Sequence, residues 1–411
     1  MERKKIHRAW VVLIASCSVS FFGMGLIMST IGIYFPSLIR ELGVTQAQVS
    51  GYMAFFTAGM FVGMPVVGNL VGKVNIRMMM TVCVFFASGG LLVNSFATGI
   101  GQLYLGGFLI GLGLALLPGI FNTIVLGNWF SKKFGLAMGI SAMFSGIGGA
   151  LFNPVIAMVI ERAGWQMGYR TSALILAIVI LPVIWIMIRF APGENEKPYG
   201  AVEGSKQSAT DTTSTLIGMT FKEAVRSRLF YLVLFGGMVL AIPGGLVQQV
   251  PSHFVSIGFP LTVAAGIMSG YSIGSSLGQG SLGTFLDLKP SLAIISYSIL
   301  GSLSWLGIAT STNQMIITIC AVACGLAQGI MTVGLPFINR KVFGGKEIGK
   351  IHSIIMMTVA VISAAGIVIV GAIYDLTGSF RIPFFAGAAA FFIGSLFLLS
   401  GFTIGTKRKL S

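Results

Sequence analysis

The chain has 411 residues, 55% of them hydrophobic and only 9% charged, with 26 Lys and Arg against 11 Asp and Glu for a net charge of +15. A globule of this size would lack the polar surface to cover itself, so the composition excludes a soluble fold and places the chain in a bilayer. Glycine, at 56 residues without a collagen-like period, is enriched as it is in closely packed membrane helices.

Apolar stretches of roughly 20 residues or more, long enough to cross the hydrocarbon core, fall near 9–34, 48–71, 77–98, 101–127, 134–160 and 169–190. The first follows MERKKIHR, which resembles the charged start of a signal peptide. It is too long for an h-region and has no small-residue cleavage site, so it is expected to be retained. In the fourth stretch Asn122 and Thr123 lie next to Pro118 and Gly119, residues that loosen a helix and free its carbonyls. The closely spaced glycines of GISAMFSGIGGA, in the fifth, read as helix packing because no strand precedes them.

A linker comes next, 191–228, whose first part, Ala191–Thr215, is rich in Pro, Gly, Ser, Thr and charge and reads as solvated. Six more apolar stretches lie near 229–252, 262–286, 290–311, 313–338, 349–374 and 381–403. The expected fold is an all-α membrane protein of twelve transmembrane helices in two six-helix bundles, 1–190 and 229–411. In the seventh stretch Gln248 and Gln249 precede Pro251, a second expected break, and His253 is either an interfacial polar residue or a gate. The eighth carries Gly266, Gly270, Gly274 and Gly278 as a smooth ridge, with Ser272, Ser275 or Ser276, and Gln279 as a polar stripe beside it. In the tenth, Gln328 and Thr332 are four apart and face the same way. Cys320 and Cys324 share a helix face, but no His or carboxylate lies near them in sequence, so they read as packing and no metal site is expected. Tyr34, Tyr52 and Tyr271 offer aromatic surface with a hydroxyl, or simple packing.

Basic residues stay cytoplasmic. With twelve spans, twenty-two Lys and Arg fall on the side of the termini and linker and four (Arg40, Arg162, Arg170 and Arg381) on the other. Both termini are therefore expected in the cytoplasm of a plasma-membrane protein. The same asymmetry accounts for the +15 charge through topology and anionic headgroups, so no nucleic-acid partner is expected.

The halves also repeat. A shift of 214 or 215 residues pairs Pro36 with Pro251, Gly43 with Gly258, Gly68 with Gly283, Gly111 with Gly325, Gly135 with Gly349 and Gly164 with Gly378. Parallel duplication of a six-helix half is a transporter design in which two bundles rock around a central site.

The twelve spans, the linker and the loops GNLVGKVNIR and GTFLDLK resemble the major facilitator superfamily, whose signature there is Gly, an Asp four residues later, then basic residues. The resemblance implies a conformational latch of Gly68, Lys73 and Arg77 with Gly283, Asp287 and Lys289; Gly72 stands at the first acidic position. NWFSKKFGLAMGI (Asn128 to Ile140) and RSRLFYLVL (Arg226 to Leu234) are similar to the oxalate/formate antiporter and monocarboxylate transporter branch. In that branch an Arg of the eighth helix, eight residues before the loop Asp, meets the substrate carboxylate; counted back from Asp287, Gln279 stands there. A Lys of the eleventh helix would fall near Val359, and no cation stands there.

All charged residues lie in loops or at helix ends, so the interior has no ionic clamp and no obvious titrating site. The expected protein is a carrier of a small organic solute, monocarboxylate-like by resemblance, working by alternating access as a uniporter or exchanger. A facilitator or exporter of neutral or amphipathic compounds is the alternative, and a non-transporting sensor the alternative of another class. Expected solute contacts are Gln279, Ser275, Ser272, Gln328, Thr332, Asn122, Thr123, Gln248, Gln249, Tyr34 and Tyr271. No catalytic constellation or cofactor motif is present, so the chain is read as no enzyme, working in the bilayer as a monomer.

Overall fold

The computed structural model describes residues 7–70, 73–115, 117, 119–130, 133–192, 196, 198–199, 218–344 and 346–407. Gly72, Pro118, Lys132, most of the linker, the tail from 408 and the side chain of Thr123 lie outside the described residues. Described residues form helices and no named strand. The spans are α1 Arg8–Leu42, α2 Gln46–Leu70, α3 Ile76–Ser95, α4 Ile100–Leu114 continued by Gly119–Trp129, α5 134–163 and α6 165–187. They continue as α7 Arg228–Ser256, α8 Leu261–Leu288, α9 Pro290–Thr310, α10 Gln314–Phe343, α11 Ile348–Thr377 and α12 Arg381–Lys407. The end holding the termini and linker is the terminal face.

Nine described helices are long and apolar enough to cross a membrane, and one of them, Phe134–Met187, is α5 and α6 joined at Gly164. α4 escapes that count because it breaks after Leu114, and α8 because glycine and serine dilute it. Among the expected bounds that move, two have a clear cause. α1 runs to Leu42, past the expected 34, because the apolar signal ends with the hydrocarbon core while the helix goes on to Gly43 (φ 63°). The expected loop after residue 160 shrinks to one kink at Gly164 (φ 83°).

The sequence repeat has a physical basis. Gly43 and Gly258, and Gly164 and Gly378, are paired positions at positive φ (63°, 99°, 83° and 67°), where a side chain would be strained. A Cβ at Gly111 would lie 2.0 Å from the Phe56 carbonyl oxygen, and one at Gly325 would lie 2.0 Å from that of Tyr271, so both halves cross the same two helices at backbone contact. In the α8 ridge, Gly274 and Gly278 bring α10 equally close, at 2.0 and 2.3 Å from the carbonyl oxygens of Val322 and Leu326. Gly266 meets nothing within 4 Å, so the working ridge starts at Gly270.

Two packed cores result. One is built from Ala9 to Ile188 with a few side chains of α8 and α11, the other from Ala224 to Phe402. Large apolar side chains such as Phe85, Ile178, Ile186 and Met315 face outward, the inversion that lipid permits. The linker is pinned where it is described. Tyr199 donates its N–H to the Trp129 carbonyl (2.8 Å) and packs edge-on to Trp10, while Met219 N–H reaches Phe343 O (2.8 Å). Its described ends are therefore docked and not simply solvated, because Tyr199 packs on Trp10 and Phe130 and Met219 packs against the second core.

Candidate solute-binding site

A cavity of about 280 Å³ lies at mid-depth where both bundles meet. Met24, Met28 and Ser29 of α1 and Ser145 and Gly146 of α5 line one side. Gly244, Val247 and Gln248 of α7, Met268, Tyr271, Ser272 and Ser275 of α8, and Gln328 and Thr332 of α10 line the other. None of these side chains is charged at neutral pH. Thr332, on the side toward the terminal face, is exposed, whereas Ser272 is buried.

Three of the lining helices are irregular at the cavity. α1 passes into a π-helix over Phe21–Met28, α7 tightens to a 3-10 turn over Val247–Gln249, and α10 takes a π-helical turn over Ile330–Gly334. The break at the two glutamines is where their position before Pro251 puts it. The π segment of α1 has no proline to announce it, only glycine-rich FFGMGLIM, whereas that of α10 runs into Pro336, which has no N–H to continue the α-helical ladder. Such segments shift the helix register and expose carbonyls that side chains then use. Gln248 Nε2 donates to the Met28 carbonyl (3.2 Å), and the Gly32 N–H donates to Gln248 Oε1 (3.1 Å). This close approach needs Gly32, since a Cβ there would lie 2.4 Å from the Gln248 carbonyl oxygen.

Of the expected contacts, Ser272, Ser275, Gln328, Thr332, Gln248 and Tyr271 come together in the cavity. Gln279 is not in the lining; it sits one turn closer to the terminal face and donates from Nε2 to Ser275 Oγ (3.2 Å). Asn122 uses its Nδ2 inside the first bundle, donating to Ser20 Oγ and Ser141 Oγ at 2.9 Å each, while its buried Oδ1 has no partner. Tyr34 stacks on Tyr169 (centroids 3.9 Å) and shares a hydrogen bond with Ser172 (3.1 Å), joining α1 to α6. His253 is buried among Phe254, Phe380 and Phe384, which corrects the interfacial alternative: the end of α7 away from the termini is covered by the start of α12 and the residue before it. Sequence reasoning missed Ser29, Ser145 and Gly146, because serine and glycine are too common in membrane helices to stand out.

Beyond the cavity, away from the termini, the bundles are stitched together. The Gln46 side chain donates to Gln249 Oε1, and Gln249 Nε2 donates to Ser50 Oγ (2.7 Å). Asp375, at the end of α11, receives the N–H groups of Gln46 and Ala47 at 2.9 Å each, at the start of α2. Glu161, at the end of α5, receives the N–H of Thr262 at 2.9 Å, at the start of α8. Asp375 and Glu161 are 214 apart, and Thr262 and Ala47 are 215 apart, so the duplication built one clasp twice. Each places a carboxylate against the positive end of the other bundle's helix.

Toward the terminal face the Ser276 hydroxyl donates to the Met143 carbonyl (2.9 Å) and still joins α8 to α5. The expected latch residues are apart. Arg77 donates from Nε to the Ile188 carbonyl (2.7 Å) within its own bundle. Lys73, Asp287 and Lys289 are exposed, Gly283 is half-buried and Gly68 is exposed with nothing within 4 Å of its Cβ position.

Two bundles with an internal repeat, closed at one face around a polar cavity that both line, define a polytopic membrane transporter. The chain belongs to the Major Facilitator Superfamily, whose sequence profile matches residues 17–301. It is similar to "MFS transporter asaE" of Aspergillus flavus, at 25% identity over 98% of this chain and 88% of that one. It is also similar to mouse "Monocarboxylate transporter 12", at 24% identity over 78% of this chain and 70% of that one. Chicken "Monocarboxylate transporter 4" matches at 31% identity, but over 39% of this chain and 34% of its own length. In fold the chain is similar to the nucleoside transporter NupG (TM-score 0.72, 15% identity, 98% and 100% covered). A bacterial homolog of the lysosomal transporter Spinster, in an inward-facing unoccupied conformation, is similar too (TM-score 0.70, 14% identity, 99% and 98% covered).

Proposed function

We propose that the protein moves a small organic solute across the plasma membrane by alternating access, with both termini in the cytoplasm, and that this conformation faces the cytoplasm. The observation that carries the reading is the uncharged cavity shared by both bundles and sealed on the side away from the termini. At about 280 Å³ it lies at the small end of ligand pockets. Two glutamines, a tyrosine, four serines and a threonine supply donors and acceptors, and three methionines supply adaptable apolar surface.

A fixed carboxylate in this interior would need a cation that the lining lacks, or several good hydrogen bonds. A compact solute that hydrogen-bonds without a net charge fits best. Similarity to monocarboxylate transporters supports the second reading, a monocarboxylate held by hydrogen bonds. With no carboxylate or histidine in the lining to change charge, uniport or exchange needs no proton.

Purified protein in proteoliposomes, tested for countertransport of pyruvate, lactate, benzoate and uridine with and without a pH gradient, decides between these readings. Saturable exchange indifferent to the gradient is expected. Strict proton dependence would falsify the uniport or exchange reading, and binding without any flux would favour a sensor. Gln279→Ala should change KM or selectivity with an unchanged melting temperature, since Gln279 reaches the cavity only through Ser275; unaltered kinetics for every solute would remove it from the site.

A further inference from the structure

Asn153 of α5 is fully buried, and neither its Nδ2 nor its Oδ1 has a hydrogen-bond partner. Among the described residues no other buried Asn or Gln side chain is left unspent at both ends. An unmet polar group in the interior is costly, and this amide carries two. Pro154 adds to the imbalance, because it has no N–H for the carbonyl of Ala150 one turn earlier.

The position gives the unspent amide a use. Gly146, Gly149, Asn153, Ile156 and Ile160 lie on one buried face of α5. At one end of that face Gly146 lines the central cavity. At the other, Ile160 and Glu161 line a second cavity of about 420 Å³ toward the opposite face, together with Pro36, Arg40 and Val255. Asn153 is seven residues from Gly146 and seven from Ile160, about 10 Å along the helix from each. Just before it, a Cβ at Gly149 would lie 2.6 Å from Ser29 Oγ and 2.7 Å from Ser272 Oγ, so the wall there is closed by cavity residues. Asn153 therefore stands in the partition between the two cavities.

We propose that Asn153 is a solute-contacting residue on the route between the two cavities. Its amide goes unpaired while the partition is shut and bonds a carboxyl, hydroxyl or amide group of the passing solute when the outer face opens. The inference rests on the proposed transport function and names a specificity-determining residue for it. An amide that both donates and accepts suits a solute with either polarity, in keeping with the uncharged cavity.

The test uses three measurements on the full chain. Asn153→Leu, which removes two unmet groups, should melt at or above the wild-type temperature. Its uptake of the transported members of the pyruvate, lactate, benzoate and uridine panel from the face opposite the termini should nevertheless fall by about tenfold, the value of one lost hydrogen bond. Asn153→Cys, with the wild-type chain as control for the four native cysteines, should react from that face with a membrane-impermeant methanethiosulfonate. Labelling needs no known solute, so it still decides the inference if no panel member is carried or if Asn153→Leu fails to fold. Wild-type uptake by Asn153→Leu, or complete protection of Asn153→Cys in a protein whose outer face is wedged open, would overturn the proposal.

Discussion

The two faces of the molecule are built to different standards. Away from the termini, four helix ends meet in pairs: α11 on α2 and α5 on α8, each through a carboxylate on exposed backbone N–H groups, with Gln46, Gln248 and Gln249 filling the space between. At the terminal face Arg77 bonds within its own bundle, and the described ends of the linker dock one on each half. A seal made of short polar contacts can be exchanged for water at little net cost, whereas an apolar interface of equal area could not. The face away from the termini is thus closed largely by hydrogen bonds that opening can return to solvent, beside a few apolar contacts of Leu261, Ala265 and Ile367 with the first core.

The largest way to break this asymmetry is a wedge in the seal. A Cβ at Gly371 would lie 2.7 Å from Ser50 Oγ and 2.8 Å from Ala47 Cα, across the junction of α11 and α2. Gly371→Val should cost the closed face away from the termini about 1–3 kcal/mol and be relieved by opening, because the two helices belong to bundles that separate in the proposed cycle. Impermeant thiol labelling from the outer side should rise by tenfold or more with little change in melting temperature; a lower melting temperature without new labelling would show a static contact instead.

The clasps offer a graded version. Asp375→Asn keeps the shape but removes the charge facing two N–H groups at the start of α2, a loss of about 1–2 kcal/mol. That shifts the balance between the two conformations by roughly tenfold. Glu161→Gln removes the charge from a single, exposed bond and should shift it by less than about threefold. Equal effects of the two substitutions, read by the same labelling, would mean that the duplicated clasps carry the same weight and that the count of bonds does not matter.

The smallest effect belongs to the terminal face. Glu347 accepts the Phe221 N–H (2.6 Å) and pairs with Lys350 (2.9 Å), and these contacts, the backbone bond first, hold its carboxyl below the usual value of 4.5. A lowered value in the folded state means that the contact contributes above the unfolded value and is lost as pH falls through the folded one. Hydrogen-exchange protection factors of residues 219–226, corrected for the intrinsic pH dependence of amide exchange, should be constant from pH 7 to about 5 and fall only below that, with Glu347→Gln reproducing the loss at pH 7. Protection that changes with pH near neutrality would point to another group.

Much of this was legible in the sequence because a bilayer imposes simple rules. Span length, the glycines repeated at 214 or 215 residues and the basic bias of the loops lead to two six-helix bundles. Ser272, Ser275, Gln328 and Thr332 could be placed together because polar residues at helical spacing in mid-membrane must face protein. The same rule could not separate them from Asn122 and Tyr34, which satisfy it by pairing inside one bundle. Nor could it place Gln279 one turn off the cavity wall, since a turn is about 5.4 Å of rise that hydropathy does not resolve.

Composition, period and position along the chain are enough for the membrane setting, the twelve helices, their duplication and the uncharged interior. Packing of the bundles was needed to choose which face is shut and which polar residues meet across them. It was needed too for Asp375 and Glu161, unremarkable at their helix ends, to reach the starts of α2 and α8, and for Asn153 to lie between two cavities with nothing to bond. The reason is physical: such contacts join residues up to 329 positions apart, and they depend on how two rigid bundles lean on one another.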